Sequence, residues 1–313
     1  MAIKINFGEL PEEYSNYEDS KIVIVPVPFE GNISYGKGVD LAPEAIINSS
    51  NQFEYHEEET NCEPFELKIH TYRPIKGKDA EDNNQKVYAE IKKILSDNKF
   101  PIIIGGEHSI SFGAIKACNE KFGRESNSFS VLQLDAHTDL REEYLGTKLS
   151  HAAIMKRVYD LGVPFIQCGI RSVSEEEIEW IRNKDLEKNI FYAYKIKGKI
   201  NVDKITEKID ADNEINNKII KAIHEKLNEN VYITIDIDVI DSCLHPATGT
   251  PEPFGLDWWE LKAIIFETIK NKNVVGIDIV EHSPVKGFHA YDFNIARFLY
   301  KIIGLMRHNN HNL

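Results

Sequence analysis

Four cysteines in 313 residues, Cys62, Cys118, Cys168 and Cys243, stand too far apart for a CxxC pair, so the chain offers neither a thiolate zinc site nor a disulfide framework. Free thiols suit a reducing compartment, and the expected location is cytoplasmic. Also missing is an apolar run long enough to cross a bilayer, and the opening residues, MAIKINFGEL, lack the basic-then-apolar build of a secretory signal. Nor is there an excess of positive charge. With 37 Lys and Arg against 50 Asp and Glu, the formal net charge is -13, which argues against nucleic acid or a membrane as a partner and favours a small cation. Part of that acidity, Glu57 to Glu59 and Glu175 to Glu177, reads as solvated surface. No internal repeat, Gly/Ser linker or low-complexity tract divides the chain.

What the chain does have is alternation. Short segments rich in Val, Ile and Leu read as strands at 22–27, 102–104, 129–134, 163–168, 231–235 and 274–279. Longer segments with helical spacing of apolar residues lie at 84–98, 111–122, 175–183, 214–228 and 258–270. Such alternation builds βαβ units and a parallel sheet, here an α/β fold in which residues 1–313 make one doubly wound domain. The polar stretch 194–217 reads as a surface excursion or an irregular helix pair, because strand-like segments resume after it.

In open parallel sheets ligands bind beyond the carboxyl ends of the strands, and four apolar segments here run into acids and histidines. IIIGGEHS delivers His108 after Gly105 and Gly106, glycines expected to let the chain turn sharply out of its strand. VLQLDAHTDL carries Asp135, His137 and Asp139 at every second position, so that on an extended chain all three face one way; alternatively Asp135 caps the next segment. VYITIDIDVID repeats the step with Asp236 and Asp238, then Asp241. Adjacent carboxylates at the end of an apolar strand must either reach solvent or be given a cation. VVGIDIVEHSP opens onto Asp278, Glu281 and His282. Together Asp135, Asp139, Asp236 and Asp238 bring four negative charges and His108 and His137 two imidazoles, a set that two divalent cations balance. Oxygen-rich ligation with some imidazole suits Mn²⁺, without excluding Co²⁺, Fe²⁺, Ni²⁺ or Zn²⁺.

Taken in order, GGEHS, DAHTDLREEYLGTKLSHAA, CGIRS, TIDIDVIDSCLHPATGTPEP and IDIVEHSP, preceded by SYGKGVDLAPEAI, resemble the ureohydrolase family of arginases and agmatinases. The resemblance implies a three-layer α/β/α fold with a central, mostly parallel sheet, two Mn²⁺ per subunit, and a homo-oligomer, trimer or hexamer. It implies that His108, Asp135, Asp139 and Asp236 hold one ion and Asp135, His137, Asp236 and Asp238 the other, with Asp135 and Asp236 bridging. His151 in KLSHAA matches the family's proton-shuttling histidine, and Glu281 matches the acid that faces the guanidinium. The implied reaction is hydrolysis of a guanidino compound by a metal-bridging hydroxide, giving urea and an amine.

Arginases hold the amino-acid end of arginine through a polar SGN-type loop and through aspartates after the GxR turn. Here YLGTKLSHAA and CGIRSVSEEE occupy those places, with Ser172 and Ser174 where the acids would be. The expected substrate is therefore agmatine, split to putrescine and urea, with aminopropylagmatine, guanidinobutyrate, formiminoglutamate and arginine as alternatives. HPATGTPEPFG stands where many agmatinases read APGTGTPEPGG, so His245 and Thr250 are the substrate-loop candidates that would border the substrate tail; for His245, and for His289 in FHAYDFNIARFLYKI, the alternative is an exposed loop histidine. Cys243 is expected to be a small apolar filler. Two classes compete: a single-zinc deacetylase on a related fold, and a catalytically silent relative acting as a binding or regulatory subunit. Neither accounts for a complete two-ion ligand set.

Overall fold

The computed structural model describes residues 5–31, 35–125, 128–198 and 213–309. Its strands are β1 (Ile22–Val27), β2 (Ile69–Thr71), β3 (Phe100–Gly105), β4 (Phe129–Leu134), β5 (Phe165–Ile170), β6 (Ile190–Tyr192), β7 (Asn230–Asp236) and β8 (Asn273–Val280). All are parallel, in one eight-stranded sheet of order β2-β1-β3-β8-β7-β4-β5-β6. Among the described residues the α-helices are α1 (Glu12–Ser15), α2 (Ala42–Ser49), α3 (Ala80–Ser96), α4 (Ser111–Phe122), α5 (Ile154–Asp160), α6 (Glu175–Asn183), α7 (Ala193–Ile196), α8 (Asn213–Lys226), α9 (Trp258–Asn271) and α10 (Ala290–His308).

Side chains alternate across the sheet and divide the core in two. Ile22 and Ile24 of β1, with Ile233 and Ile235 of β7, pack against α2, α9 and α10. Val23 and Val25, with Tyr232, pack against α3, α4 and α5 on the other face. This is the three-layer arrangement, and because both faces are covered the central strands read as unbroken apolar runs. At the two edges the sheet narrows to β2 and β6, three residues each, too short to stand out as apolar segments. β5 starts two residues later than the sequence reading because Val163 and Pro164 lead into it.

The order of strands gathers the chemistry. β3, β8, β7 and β4 are consecutive neighbours in the sheet, although β3 and β4 end by Leu134 and the other two begin only at Asn230. The four segments ending in acids and histidines therefore open side by side at one edge of the sheet. Of the stretch 194–217, α7 and the start of α8 are described, whereas 199–212 lie outside the described residues.

Gly106 is required for a reason other than a turn. Its backbone is not left-handed; it is clamped, with its N–H donating to Val27 O at 2.9 Å and its carbonyl accepting from Glu281 N at 2.8 Å. A Cβ there would lie 1.9 Å from Phe29 O. Gly106→Ala is expected to cost about 1–3 kcal/mol, as overpacking does, read as a lower thermal midpoint; an unchanged midpoint would show that this backbone gives way freely.

Candidate metal centre and substrate cavity

After β3 the chain enters a short 3-10 turn, His108–Ile110, that buries the His108 imidazole completely. Its Nδ1 lies 3.0 Å from Asp139 Oδ2, 3.2 Å from Asp135 Oδ2 and 3.5 Å from Asp236 Oδ2. Its Nε2 lies 2.8 Å from Thr234 Oγ1, which donates to Asp278 Oδ1 at 2.6 Å, while Tyr232 donates to the other Asp278 oxygen at 2.7 Å. The threonine spends its one proton on the carboxylate, so Nε2 of a neutral His108 must donate and Nδ1 must be a bare lone pair. That Nδ1 is buried without a hydrogen-bond partner, facing three carboxylates. Acceptors alone cannot share such a space. The donor set and the orphaned nitrogen both fit a divalent cation.

A second group adjoins the first. His137 Nδ1 lies 2.9 Å from Asp238 Oδ2 and 3.6 Å from Asp135 Oδ1, and its Nε2 is 3.8 Å from Glu252 Oε1. Ligand-capable atoms cluster as His108, Asp135 and Asp236, and as Asp135, His137 and Asp238, with Asp135 common to both. Asp139 reaches the first group through its contact with His108.

Without metal, protons must balance these charges. Burial pushes Asp139 up to about 7, with Asp135 adding to the effect; burial, Asp238 and Asp135 push Asp236 well above the carboxylate range. Burial also raises Asp135, yet His108 and His137 outweigh it and hold Asp135 low. For the histidines burial opposes the charge, but the surrounding carboxylates prevail, taking His137 up to about 12 and His108 well above its ordinary value.

The two-residue step in the sequence is not what brings the acids together. β4 ends at Leu134, and Asp139 has φ of 52°, a left-handed turn that swings its carboxylate back to His108. Asp236 accepts the N–H of Asp238 at 3.0 Å to start the 3-10 turn Ile237–Val239. Both triplets converge through turns, which bare spacing on an extended chain could not show.

A cavity of about 260 Å³ opens above His137, Asp139 and Asp236, and Glu281, His151, Thr250 and Ser172 also line it. Glu281, at φ of 62°, accepts the His108 N–H at 2.7 Å. Burial pushes its carboxyl up to about 7, His151 opposing and Glu107 reinforcing. His151 opens a 3-10 turn, with Nδ1 3.9 Å from Glu107 Oε2 and its ring edge-on to Tyr144 at 5.5 Å. Burial works against a charge on His151, but Glu107, Glu281 and Asp139 raise it above the ordinary imidazole value.

Three expectations are corrected. His245 neither lines the cavity nor sits on an exposed loop; it is fully buried against His282, Trp258 and Tyr291. His289 follows the exposed alternative, at the N-cap position of α10 and outside the cavity wall. Cys243 is exposed, not an apolar filler. The acidic runs are not wholly solvated surface either: Glu57 is buried and paired with Lys301 at 2.7 Å, and Glu177 is buried too.

Glu177 and Arg171 are the residues that sequence reading passed over. Glu177 Oε1 accepts from Thr138 Oγ1 at 2.8 Å and Leu140 N at 3.0 Å, holding both neighbours of Asp139, while Oε2 caps α6 with Ser174. The Ser-x-x-Glu spacing of Ser174 and Glu177 was the available signal. Arg171 donates to Asp238 O at 2.6 Å, Glu252 O at 2.8 Å and Pro253 O at 2.9 Å, tying a ligand loop to the loop beside it. Nothing in CGIRS distinguishes such a clamp from a surface arginine.

Two outcomes follow for the metal centre. Loading with a divalent cation is expected to release protons, and apparent affinity to fall as pH drops through about 7, where Asp139 of the metal-free site takes up its proton; calorimetry in buffers of different ionisation enthalpy reads this, and no proton release would contradict it. Thr234→Val removes the group that orients His108 and should weaken metal retention about 10–100-fold; retention equal to the parent in a chelator competition would show that the hydroxyl sets nothing.

Residues 20–304 match the Arginase family. The chain is 34% identical over 304 residues to an N(1)-aminopropylagmatine ureohydrolase of Synechocystis, covering 94% of this chain and 91% of that one. It is 30% identical over 299 residues to an agmatinase of Pyrococcus horikoshii, covering 92% and 93%. Its fold matches the agmatine ureohydrolase of Thermoplasma volcanium with a TM-score of 0.81 at 29% identity, over 95% of this chain and 93% of that one. With the sheet order, the paired ligand groups and these similarities in agreement, the chain belongs to the arginase family, as one of its ureohydrolases.

Proposed function

We propose that this ureohydrolase converts agmatine to putrescine and urea with two Mn²⁺, one held by His108, Asp135, Asp139 and Asp236 and the other by Asp135, His137, Asp236 and Asp238. The observation that carries the reading is the unpartnered His108 Nδ1 buried among three carboxylates, two of which, Asp139 and Asp236, also line the cavity. When bound, two such ions supply a water acidic enough to act as nucleophile near neutral pH. The oxygen-rich donor set favours Mn²⁺.

The chain's own residues bind, orient and move protons. Glu281 presents a carboxylate to the cavity, and a guanidinium donating to it makes a charge-assisted, directional pair. A cation there also reverses the upward push that burial gives Glu281. Fixing the planar group in this way offsets the poor electrophilicity of its carbon. His151 keeps its proton at a pH where an ordinary imidazole would lose it, which suits a donor to the departing amine. Tyr144, edge-on to its ring, restricts its rotation.

The far end of the cavity supports an amine-ended substrate. Ser174 and Glu177 are consumed in the α6 cap, so neither is free to receive the amino-acid end of arginine, and Ser172 offers the cavity a hydroxyl in place of an acid. Tyr35 and Tyr144 add aromatic surface to the cavity wall. A longer substrate, aminopropylagmatine, is the second reading, favoured by the name of the relative at 34% identity. Arg141, stacked on Tyr144 at 5.1 Å, is the single Lys or Arg among the described residues of the wall and favours a carboxylate-ended guanidine instead. Free thiols support a cytoplasmic location, and the family resemblance supports a homo-oligomer, trimer or hexamer.

A urea-release screen on Mn²⁺-loaded enzyme tests the reading, with agmatine, aminopropylagmatine, arginine, guanidinobutyrate and formiminoglutamate side by side. Agmatine is expected to give the highest kcat/KM; urea from arginine alone would overturn the substrate, and one tightly held zinc per chain would overturn the two-ion centre. His151→Ala should lower kcat by about 10²–10⁴-fold. Full turnover of that variant at every pH would remove His151 from the proton path.

A further inference from the structure

Behind the cavity wall lies a buried chain of titratable groups that the reaction above does not use: Asp292, His282 and His245, which are 5%, 1% and 0% exposed. His282 Nε2 is 2.7 Å from Asp292 Oδ1, and its Nδ1 is 3.1 Å from Ala247 O and 3.2 Å from His245 Nε2. A carboxylate and a peptide carbonyl are both acceptors. Asp292 lies in the first turn of α10. His282 Nε2 donates to its carboxylate, and Nδ1 faces His245 Nε2 and Ala247 O, which also accepts from Ser283 N at 2.9 Å. His245 Nδ1 is the buried atom of this chain that has no hydrogen-bond partner. Burial first, and the adjacent His282 second, hold His245 down at about 3, so it stays neutral.

Two strips of cavity wall hang on this chain. Thr248 pairs with His282 as an antiparallel bridge, Ser283 N donates to Ala247 O at 2.9 Å, and Gly249 and Thr250 line the cavity two residues further on. On the other side of the same imidazole, the residue before it is Glu281, held at φ of 62°. A left-handed glutamate is strained and persists only where its surroundings over-determine it. We propose that Asp292 and His282 are positioning residues that lock the Ala247–Thr250 strip to Glu281 and so set where the guanidinium is held, with His245 packed over the pair. This deepens the ureohydrolase reading and rests on it for its kinetic consequence, while its structural content stands apart from turnover.

Three variants test it: Asp292→Asn, which replaces the carboxylate facing His282 Nε2 with a neutral amide; His282→Leu, which keeps bulk and loses both bonds; and His282→Asn, whose amide N–H can still donate to Ala247 O. Loss of one such hydrogen bond is expected to raise KM for the best guanidine about tenfold in Asp292→Asn and His282→Leu, with kcat and bound metal nearly unchanged. His282→Asn should recover most of the loss. Hydrogen exchange of peptides covering 246–250 and 281–284 should follow the same order, faster in the first two variants and near parental in the third. A merely packed core reverses it, with leucine tolerated and asparagine the worst, and that order overturns the proposal, as do three variants with parental KM and exchange. If His282→Leu fails to fold, the contrast of Asp292→Asn with His282→Asn decides alone. Should the parent release urea from no guanidine, the ureohydrolase reading fails, and the exchange order still judges the lock.

Discussion

Everything at the carboxyl edge of the sheet answers to one constraint: four carboxylates are gathered around two imidazoles in a place where water cannot screen them. Asp135 and Asp238 are 0% and 1% exposed, and Asp139 and Asp236 only slightly more. Burying one unpaired ionised carboxylate already costs several kcal/mol. The protein cannot recover that cost from its own side chains, since no lysine or arginine contacts these oxygens among the described residues and the histidines are too few. The site is thus built around charge it does not contain. The shell around it prepares for that charge: Thr234 and Asp278 fix one imidazole, Gln133 donates to Asp135, and backbone N–H groups of Ala136, His137 and Asp238 hold carboxylate oxygens.

Seen from this constraint, the sheet order is a means of concentrating charge. Inserting β7 and β8 between β3 and β4 brings acids from the two halves of the chain into contact, which no run of consecutive strands would do. The apolar strands beneath exclude water and anchor each ligand loop at its root. Their packing is insensitive to the chemistry above, which is why loops such as 245–250 can differ within a shared architecture.

Much of this was legible in the residues. The central strands declared themselves because burial on both faces demands unbroken apolar runs, and the ligands because acids and histidines directly after such runs are costly without a purpose. The short edge strands β2 and β6 lacked that signal. α10 carried a helical stripe, Ile295, Leu299, Ile302 and Met306, that was overshadowed by its departure from the family pattern. The errors at the site share a cause. Distances along the chain do not reveal a left-handed residue or a clamp such as Arg171, and they cannot tell a histidine beside the cavity from one buried behind it. His245 was read as a loop residue near substrate, yet its surroundings come from α9, α10 and the turn after β8, segments remote in sequence.

The two strained residues of the centre show how the protein holds what its local sequence would not. Asp139 and Glu281 both adopt left-handed backbone, a conformation that each would leave if free to do so. Asp139 is gripped from both sides, because Glu177 accepts from Thr138 and from Leu140. Glu281 is fixed at its own N–H by Gly106 O and through the next residue by the Asp292–His282 pair. In each case a buried carboxylate outside the metal-ligand groups supplies the restraint through groups adjacent to the strained residue. Metal and substrate are thus met by side chains whose backbone has been set in advance, and the free energy of doing so is drawn from hydrogen bonds made deep in the fold. A ligand loop held only by its own ligands would have to be organised by the metal at the moment of binding; this one is organised before.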